Sequence, residues 1–305
     1  MTKLHSLLLS LALVGCTSTA VNDAPTAMRT PELQAVGISG IGEDAQRHLT
    51  NRYADTAVTC GAPSRPAFLC NGVLIRGTSY KAGRHSWDNS PANHTSGGVS
   101  FSYLRKDSKY QKLAYGYSNG YIFLPVYHAG NKITPEILCA FPLDAGTSAR
   151  VNKGCGAYTG IPGSAACQAQ GIYTAAAWYN HFRASGSTRA AQCGFDVRDA
   201  LNDSAAAAFD AMIKGMALIN VESFATQNEL RLAVWQDGLG KVLPLEAFFY
   251  VNSTPQGLID AQNDQRDFKS ATGISLPIIS LWLPGTPASQ ATFRYLAGDQ
   301  VIPIP

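Results

Sequence analysis

The sequence predicts an α+β fold of mostly antiparallel strands with about three packed helices, stabilised by disulfides. Three observations carry that expectation. Strand-like apolar runs fill residues 58 to 143, helix-period patterns follow between 174 and 219, and strand-like runs then return with one more helix, so the two kinds of element are segregated along the chain. Hydrophobic residues make up 46% of the chain against 15% charged, with 13 tyrosines and 12 phenylalanines, a composition that builds a core. Six of the seven cysteines fall beyond the first sixteen residues, and an even number favours disulfides.

The first element, "MTKLHSLLLSLALVGC", has a basic start at Lys3 and an apolar run from Leu7 to Val14 that is too short to span a bilayer. Residues 1–15 therefore read as a signal peptide. Leu13-Val14-Gly15-Cys16 resembles the bacterial lipobox, which implies lipidation of Cys16 and a membrane attachment through it. By the same resemblance Thr17, in place of aspartate, implies an outer-membrane lipoprotein, and later release would make it a secreted protein. Residues 16–35 are small, polar and proline-containing and read as a flexible tether. Residues 36–305 read as a single α+β domain, long enough for one large core.

Within that domain "AFLCNGVLI", "GGVSFSYL", "YIFLPVY" and "EILCAF" read as strands separated by turn chemistry. Pairing of nearest neighbours joins Cys60 to Cys70, Cys139 to Cys155 and Cys167 to Cys193, one of fifteen arrangements that six cysteines allow. "TAAAWYNHFR" places Trp178, Tyr179 and Phe182 on one helical face behind Thr174 as N-cap. After Asn202-Asp203, the spacing of Phe209, Met212, Ile213, Met216 and Ile219 predicts a second amphipathic helix. "ELRLAVW" and "LPLEAFFYV" read as strands, "GLIDAQNDQRDFKSATG" as a helix ending at Gly273, and "ISLPIISLWL" as a strand that Pro277 assigns to an edge or a bend.

Several function classes lose support at this level. Net charge is +3, or +2 once Lys3 departs, and it is scattered, which argues against nucleic acid as a partner. His48, His85, His94, His128 and His181 show no paired-ligand spacing, so no metal site is expected. "GYSNG" matches the G-x-S-x-G elbow of serine hydrolases at Ser118, but a strand and not a helix is expected after it, and "SNG" reads as a hairpin turn.

"CNGVLIRGTSY" supplies the strongest lead, because Arg76 ends an apolar strand with "GTS" directly behind it. A guanidinium is costly to bury without an anion and matches carboxylate or phosphate bidentately. Its partner is either internal, such as Asp196 or Asp199, or a ligand. Ser100 and Ser102, two apart on a strand, point to one side, as do Gln227 and Glu229 at the start of another.

An arginine-ended strand, a Ser-x-Ser strand and a Gln-x-Glu before a strand, in that order, resemble the Arg, Ser-Thr-Ser, Glu/Gln-x-Glu pattern of ADP-ribosyltransferase toxins. The resemblance implies that Arg76 holds the phosphates of NAD, that Ser100 buttresses the pocket with Ser102 beside it, and that Glu229, preceded by Gln227, binds the ribose as nicotinamide leaves. "CNGVLIRGTSY", "SGGVSFSYLRKDS", "QCGFDVRDA", "QNELRLAVW" and "PLEAFFY" together resemble the halovibrin family of exported bacterial proteins. This second resemblance implies NAD glycohydrolase activity, mono-ADP-ribosyltransferase activity toward a host protein acceptor, and a role in virulence, with NAD as substrate and no other cofactor.

Around these motifs Tyr80, Trp87, Phe101 and Tyr103 are candidates to stack on nicotinamide or adenine, Trp87 foremost because its loop is polar. His85 and Arg84 are candidates for phosphate contact. The alternative reading is a non-catalytic module that binds a glycan or a host surface, with Arg76 in a structural ion pair.

Overall fold

A computed structural model of the chain describes residues 42–83, 87, 99–108, 113, 116–125, 136–143, 166–188, 192–194, 202–219, 228–233, 245–251, 254–286 and 289–304. Among them are four α-helices and eight strands: α1 (Gly42–Ala54), β1 (Val73–Thr78), β2 (Val99–Leu104), β3 (Asn119–Phe123), β4 (Glu136–Phe141), α2 (Ala175–Ala184), α3 (Ala205–Leu218), β5 (Glu229–Ala233), β6 (Leu245–Val251), α4 (Pro255–Thr272), β7 (Ile278–Trp282) and β8 (Thr292–Tyr295). The strands form one sheet in the order β4-β5-β2-β1-β3-β6-β7-β8. Described neighbours pair antiparallel except β6 with β7. The α+β class is thus as the sequence predicts, with one helix more.

Alternation along the strands sends side chains to two cores. Leu74, Phe101, Tyr103, Tyr121, Leu230 and Phe248 face one side, where Phe182 of α2, Met212 of α3 and Phe268 of α4 cover them. Val73, Ile75, Leu104, Ile122 and Phe249 face the other, which α1 covers through Ala45, Leu49 and Tyr53.

The helices begin where their caps dictate. Thr174 accepts the Ala177 N–H at 3.0 Å to start α2, and Ser204 accepts the Ala207 N–H at 3.2 Å to start α3. Asp203 adds to the start of α2, accepting from the Ala175 N–H at 2.6 Å. Gly273 ends α4 in the left-handed region at φ 77°, a conformation that costs a Cβ-bearing residue more.

Four readings of the sequence need correction. Residues 67–71 are not strand: Ala67–Leu69 forms a 3-10 turn, because Arg52 of α1 draws the carbonyls of Phe68, Asn71 and Gly72 onto one guanidinium. Asn119-Gly120 is not a hairpin turn but the start of β3, with Asn119 opposite Thr78. Pro277 does not mark an edge: β7 lies between β6 and β8, and Pro277 contributes its carbonyl to the Phe248 N–H at 2.9 Å. Helix α1, with acidic Glu43 and Asp44 in its first turn, went unread because its apolar face holds so few residues.

Cys60 pairs with Cys70 and Cys167 with Cys193, as nearest-neighbour pairing predicts. Cys139 is also disulfide-bonded, and both Cys155 and Cys16 lie outside the described residues.

Gly120 faces Gly77 across the β1–β3 ladder, and a Cβ on it would collide with the backbone carbonyl of Arg76. Gly120→Ala is expected to cost about 2–3 kcal/mol by forcing the two backbones apart. A urea midpoint equal to wild type would show that the ladder accommodates the methyl group.

Candidate active site

Strand β2, between β5 and β1, is paired on its two edges over different halves. Its second half, Ser102 to Leu104, pairs with Val73–Ile75 of β1, whereas its first half, Val99 to Phe101, pairs with Leu230–Leu232 of β5. Beyond Ile75 strand β1 continues on β3 alone, so a fork opens between the end of β1 and the start of β2. Ser100 stands at this fork, and two other residues singled out in the sequence reach it, Arg76 from β1 and Glu229 from β5 on the far edge of β2.

Glu229 opens β5 and leaves the sheet on the same side as Ser100, whose hydroxyl donates to Glu229 Oε1 at 2.5 Å. Arg231, two residues on and opposite Ser100, places Nη1 3.2 Å from Ser100 Oγ and 3.8 Å from Glu229 Oε1. Glu229 and Arg231 are 3% and 2% exposed, so carboxylate and guanidinium are out of water together. Burial lowers the affinity of Arg231 for its proton; the Glu229 charge opposes that, and Arg76 adds a smaller depression. Arg76 is therefore near enough to Arg231 for its charge to be felt.

Arg76 itself reaches the group by a different route. By alternation it leaves β1 on the Leu74 side, opposite to Ser100 and Glu229, but its Nη1 donates to the Ser100 carbonyl at 2.6 Å across the fork. Among the described residues its buried Nε has no hydrogen-bond partner, and neither has the buried hydroxyl of Thr78 two residues on. Such groups each cost about 1–3 kcal/mol while unmet. Asp196 and Asp199, the internal partners considered for Arg76, lie outside the described residues.

Asn228 was not singled out, yet it holds Glu229 in place. Its side-chain amide accepts from the Tyr103 N–H at 2.6 Å and donates to the Tyr103 carbonyl at 2.7 Å, copying a ladder rung where β5 has ended. Ser102 donates to the Asn228 carbonyl at 3.2 Å and is buried. Through this bond it supports the start of β5.

Three proposed stacking residues, Trp87, Phe101 and Tyr103, also belong to the core. Trp87 is 2% exposed and meets Phe268 edge-on at 4.9 Å, so the apolar partner its polar loop did not reveal comes from α4. Tyr103 is fully buried, with its hydroxyl on Asn71 Oδ1 at 2.6 Å. Phe101 packs against Phe123, and Tyr80 donates to Asp267 at 3.0 Å. Gln227, His85 and Arg84 lie outside the described residues. Ser118 precedes β3 and gives its carbonyl to the Val251 N–H at 2.7 Å, so the strand-to-helix turn of a serine hydrolase is absent there. Among the described residues no three His, Cys, Asp or Glu side chains converge on a metal position.

On the Arg76 side of the fork Asn119, opposite Thr78, donates to Asp264 of α4 at 3.3 Å. Burial, reinforced by Asp260 and Asp267, raises the Asp264 carboxyl from 3.8 to about 7, against the weaker opposing effect of Asn119. Between those values the folded chain retains a proton that the unfolded chain has lost. Stability from this group is thus complete below about pH 4 and disappears as pH rises through 7. Asp264→Asn is expected to remove that slope, so that wild type loses more stability than the variant between pH 5 and pH 8 in urea unfolding. Parallel losses would assign the slope to other groups.

No protein-family model matches the chain, and no curated protein matches it significantly.

Proposed function

We propose that this chain is an exported NAD glycohydrolase, anchored through Cys16, that cleaves the nicotinamide–ribose bond at the β1–β2 fork. The observation that carries the reading is the convergence of Arg76 and Glu229 on Ser100 from opposite faces of the sheet: residues 24 and 129 away from it in the chain, joined to its carbonyl at 2.6 Å and to its hydroxyl at 2.5 Å. The resemblance to the toxin pattern asked for this combination in this chain order. Disulfides at Cys60–Cys70 and Cys167–Cys193 favour an oxidising compartment and so support export.

The chemistry follows from charge. Nicotinamide leaves with the electron pair of the C–N bond, and positive charge grows on the ribose. A carboxylate held close, Glu229, lowers the energy of that oxocarbenium-like state. Water then attacks the same carbon and releases a proton, giving ADP-ribose. A protein nucleophile in place of water makes the same chemistry a mono-ADP-ribosyl transfer. The Nε of Arg76 and the hydroxyl of Thr78, unmet among the described residues, suit the acceptor oxygens of the dinucleotide phosphates.

The test is NAD consumption by the purified mature protein, read as nicotinamide and ADP-ribose released. Arg76→Lys, which loses the planar fork, is expected to raise KM about tenfold with a smaller change in kcat. Absence of turnover in wild type overturns the enzymatic reading and leaves the surface-binding module in its place.

A further inference from the structure

Glu229 and Ser100 are enough to state the proposed reaction, but they do not account for the buried cation beside them. Arg231 cannot accept a hydrogen bond, so at 3.2 Å its Nη1 must donate to Ser100 Oγ. The single hydroxyl proton of Ser100 is then directed to Glu229 Oε1 at 2.5 Å. The order of donation, Arg231 to Ser100 to Glu229, fixes the rotor of the serine. The environment also demands a counter-charge: a carboxylate 3% exposed takes up a proton unless a cation or donors hold it ionised.

The groups facing Glu229 among the described residues can be named by element. From β2 comes the Ser100 hydroxyl, and from β4, whose Phe141 pairs with Glu229, come Phe141 and Cys139; Arg76 of β1 leaves on the other face and is turned to the Ser100 carbonyl. Cys139 is in a disulfide and does not titrate. Arg231 shares the strand and the face of Glu229 and is the cation that pairs with it, at 3.8 Å.

We infer that Arg231 is a positioning residue of this site, setting the Ser100 hydroxyl as donor and keeping Glu229 in its carboxylate form for use at the ribose. The inference rests on the proposed NAD-cleaving role of Glu229, but its physical content can be measured apart from turnover.

The experiment compares wild type with Arg231→Gln, which retains a donor and loses the charge. Carboxyl-carbon NMR follows the titration of Glu229, assigned with Glu229→Gln. The expected result is a Glu229 midpoint at higher pH in Arg231→Gln than in wild type. An unmoved midpoint in the folded variant overturns the inference. Should Arg231→Gln not fold, Arg231→Met, which also removes the charge, replaces it, with the same rise expected and an unmoved midpoint again decisive against. In turnover, Arg231→Gln is expected to lower kcat about tenfold or more at neutral pH with little change in KM, and to move the acidic limb of the pH profile upward. A wild type that does not cleave NAD removes the proposed function while the titration still judges Arg231.

Discussion

Glu229→Gln is expected to reduce NAD turnover on the order of 100- to 1,000-fold, the range that loss of one placed electrostatic stabiliser commonly gives. Glutamine keeps the length of the side chain and an oxygen for the Ser100 hydroxyl, so the change isolates charge. It also leaves Arg231, 2% exposed, without its counter-ion, and breaking a buried pair in this way costs about 3–5 kcal/mol. Turnover must therefore be referred to folded protein, counted by circular dichroism at the assay temperature. The loss should appear in kcat per folded molecule, and KM should move little. Equal turnover per folded molecule would remove Glu229 from the mechanism.

Arg52→Met is expected to destabilise the fold by about 3–5 kcal/mol, the largest effect of a residue outside the site. Arg52 Nε donates to the Gly72 carbonyl at 2.8 Å, and Nη2 donates to the carbonyls of Phe68 at 3.0 Å and Asn71 at 3.1 Å. Methionine fills much of the same volume but removes the donor of the Phe68 and Gly72 carbonyls and leaves the Asn71 carbonyl to the Tyr103 hydroxyl at 3.3 Å. It also removes a positive charge felt by Glu246, a 1% exposed carboxylate whose nearest described base is His48 at 2.5 Å. The loss is read from the urea midpoint, where a shift below 0.5 M at a slope of about 2 kcal/mol per M would be too small for this account. Since β1 begins one residue after Gly72, the same substitution tests whether α1 sets the position of the strand that carries Arg76.

The strands were legible where alternation and β-branched or aromatic content agreed, as in "GGVSFSYL" and "LPLEAFFYV", and the helices where a cap preceded a regular apolar spacing, as at Thr174. Long-range demands were not. Nothing local in "AFLCN" reveals that Arg52 gathers its carbonyls, and nothing in a polar loop tells Trp87 that Phe268 lies beneath it. Ser100 and Glu229 were found because side chains two apart on a strand share a face, a rule that also holds for Arg231 opposite Ser100. Arg231 was passed over because a cation inside "ELRLAVW" looks like any solvated position until its burial is known. Asn228 gave no signal, since an amide that mimics backbone has no spacing rule.

Helix α1 does more than close a core. The backbone N–H groups of Ala291 and Tyr295, beside and within the outermost strand β8, are taken by Tyr53 Oη at 3.0 Å and Gln46 Oε1 at 2.7 Å. An uncovered strand of this kind is a template for a neighbouring molecule. Removing residues up to 54 would therefore turn a guarded border into an adhesive one, and material lacking the helix should accumulate as soluble oligomers or inclusion bodies.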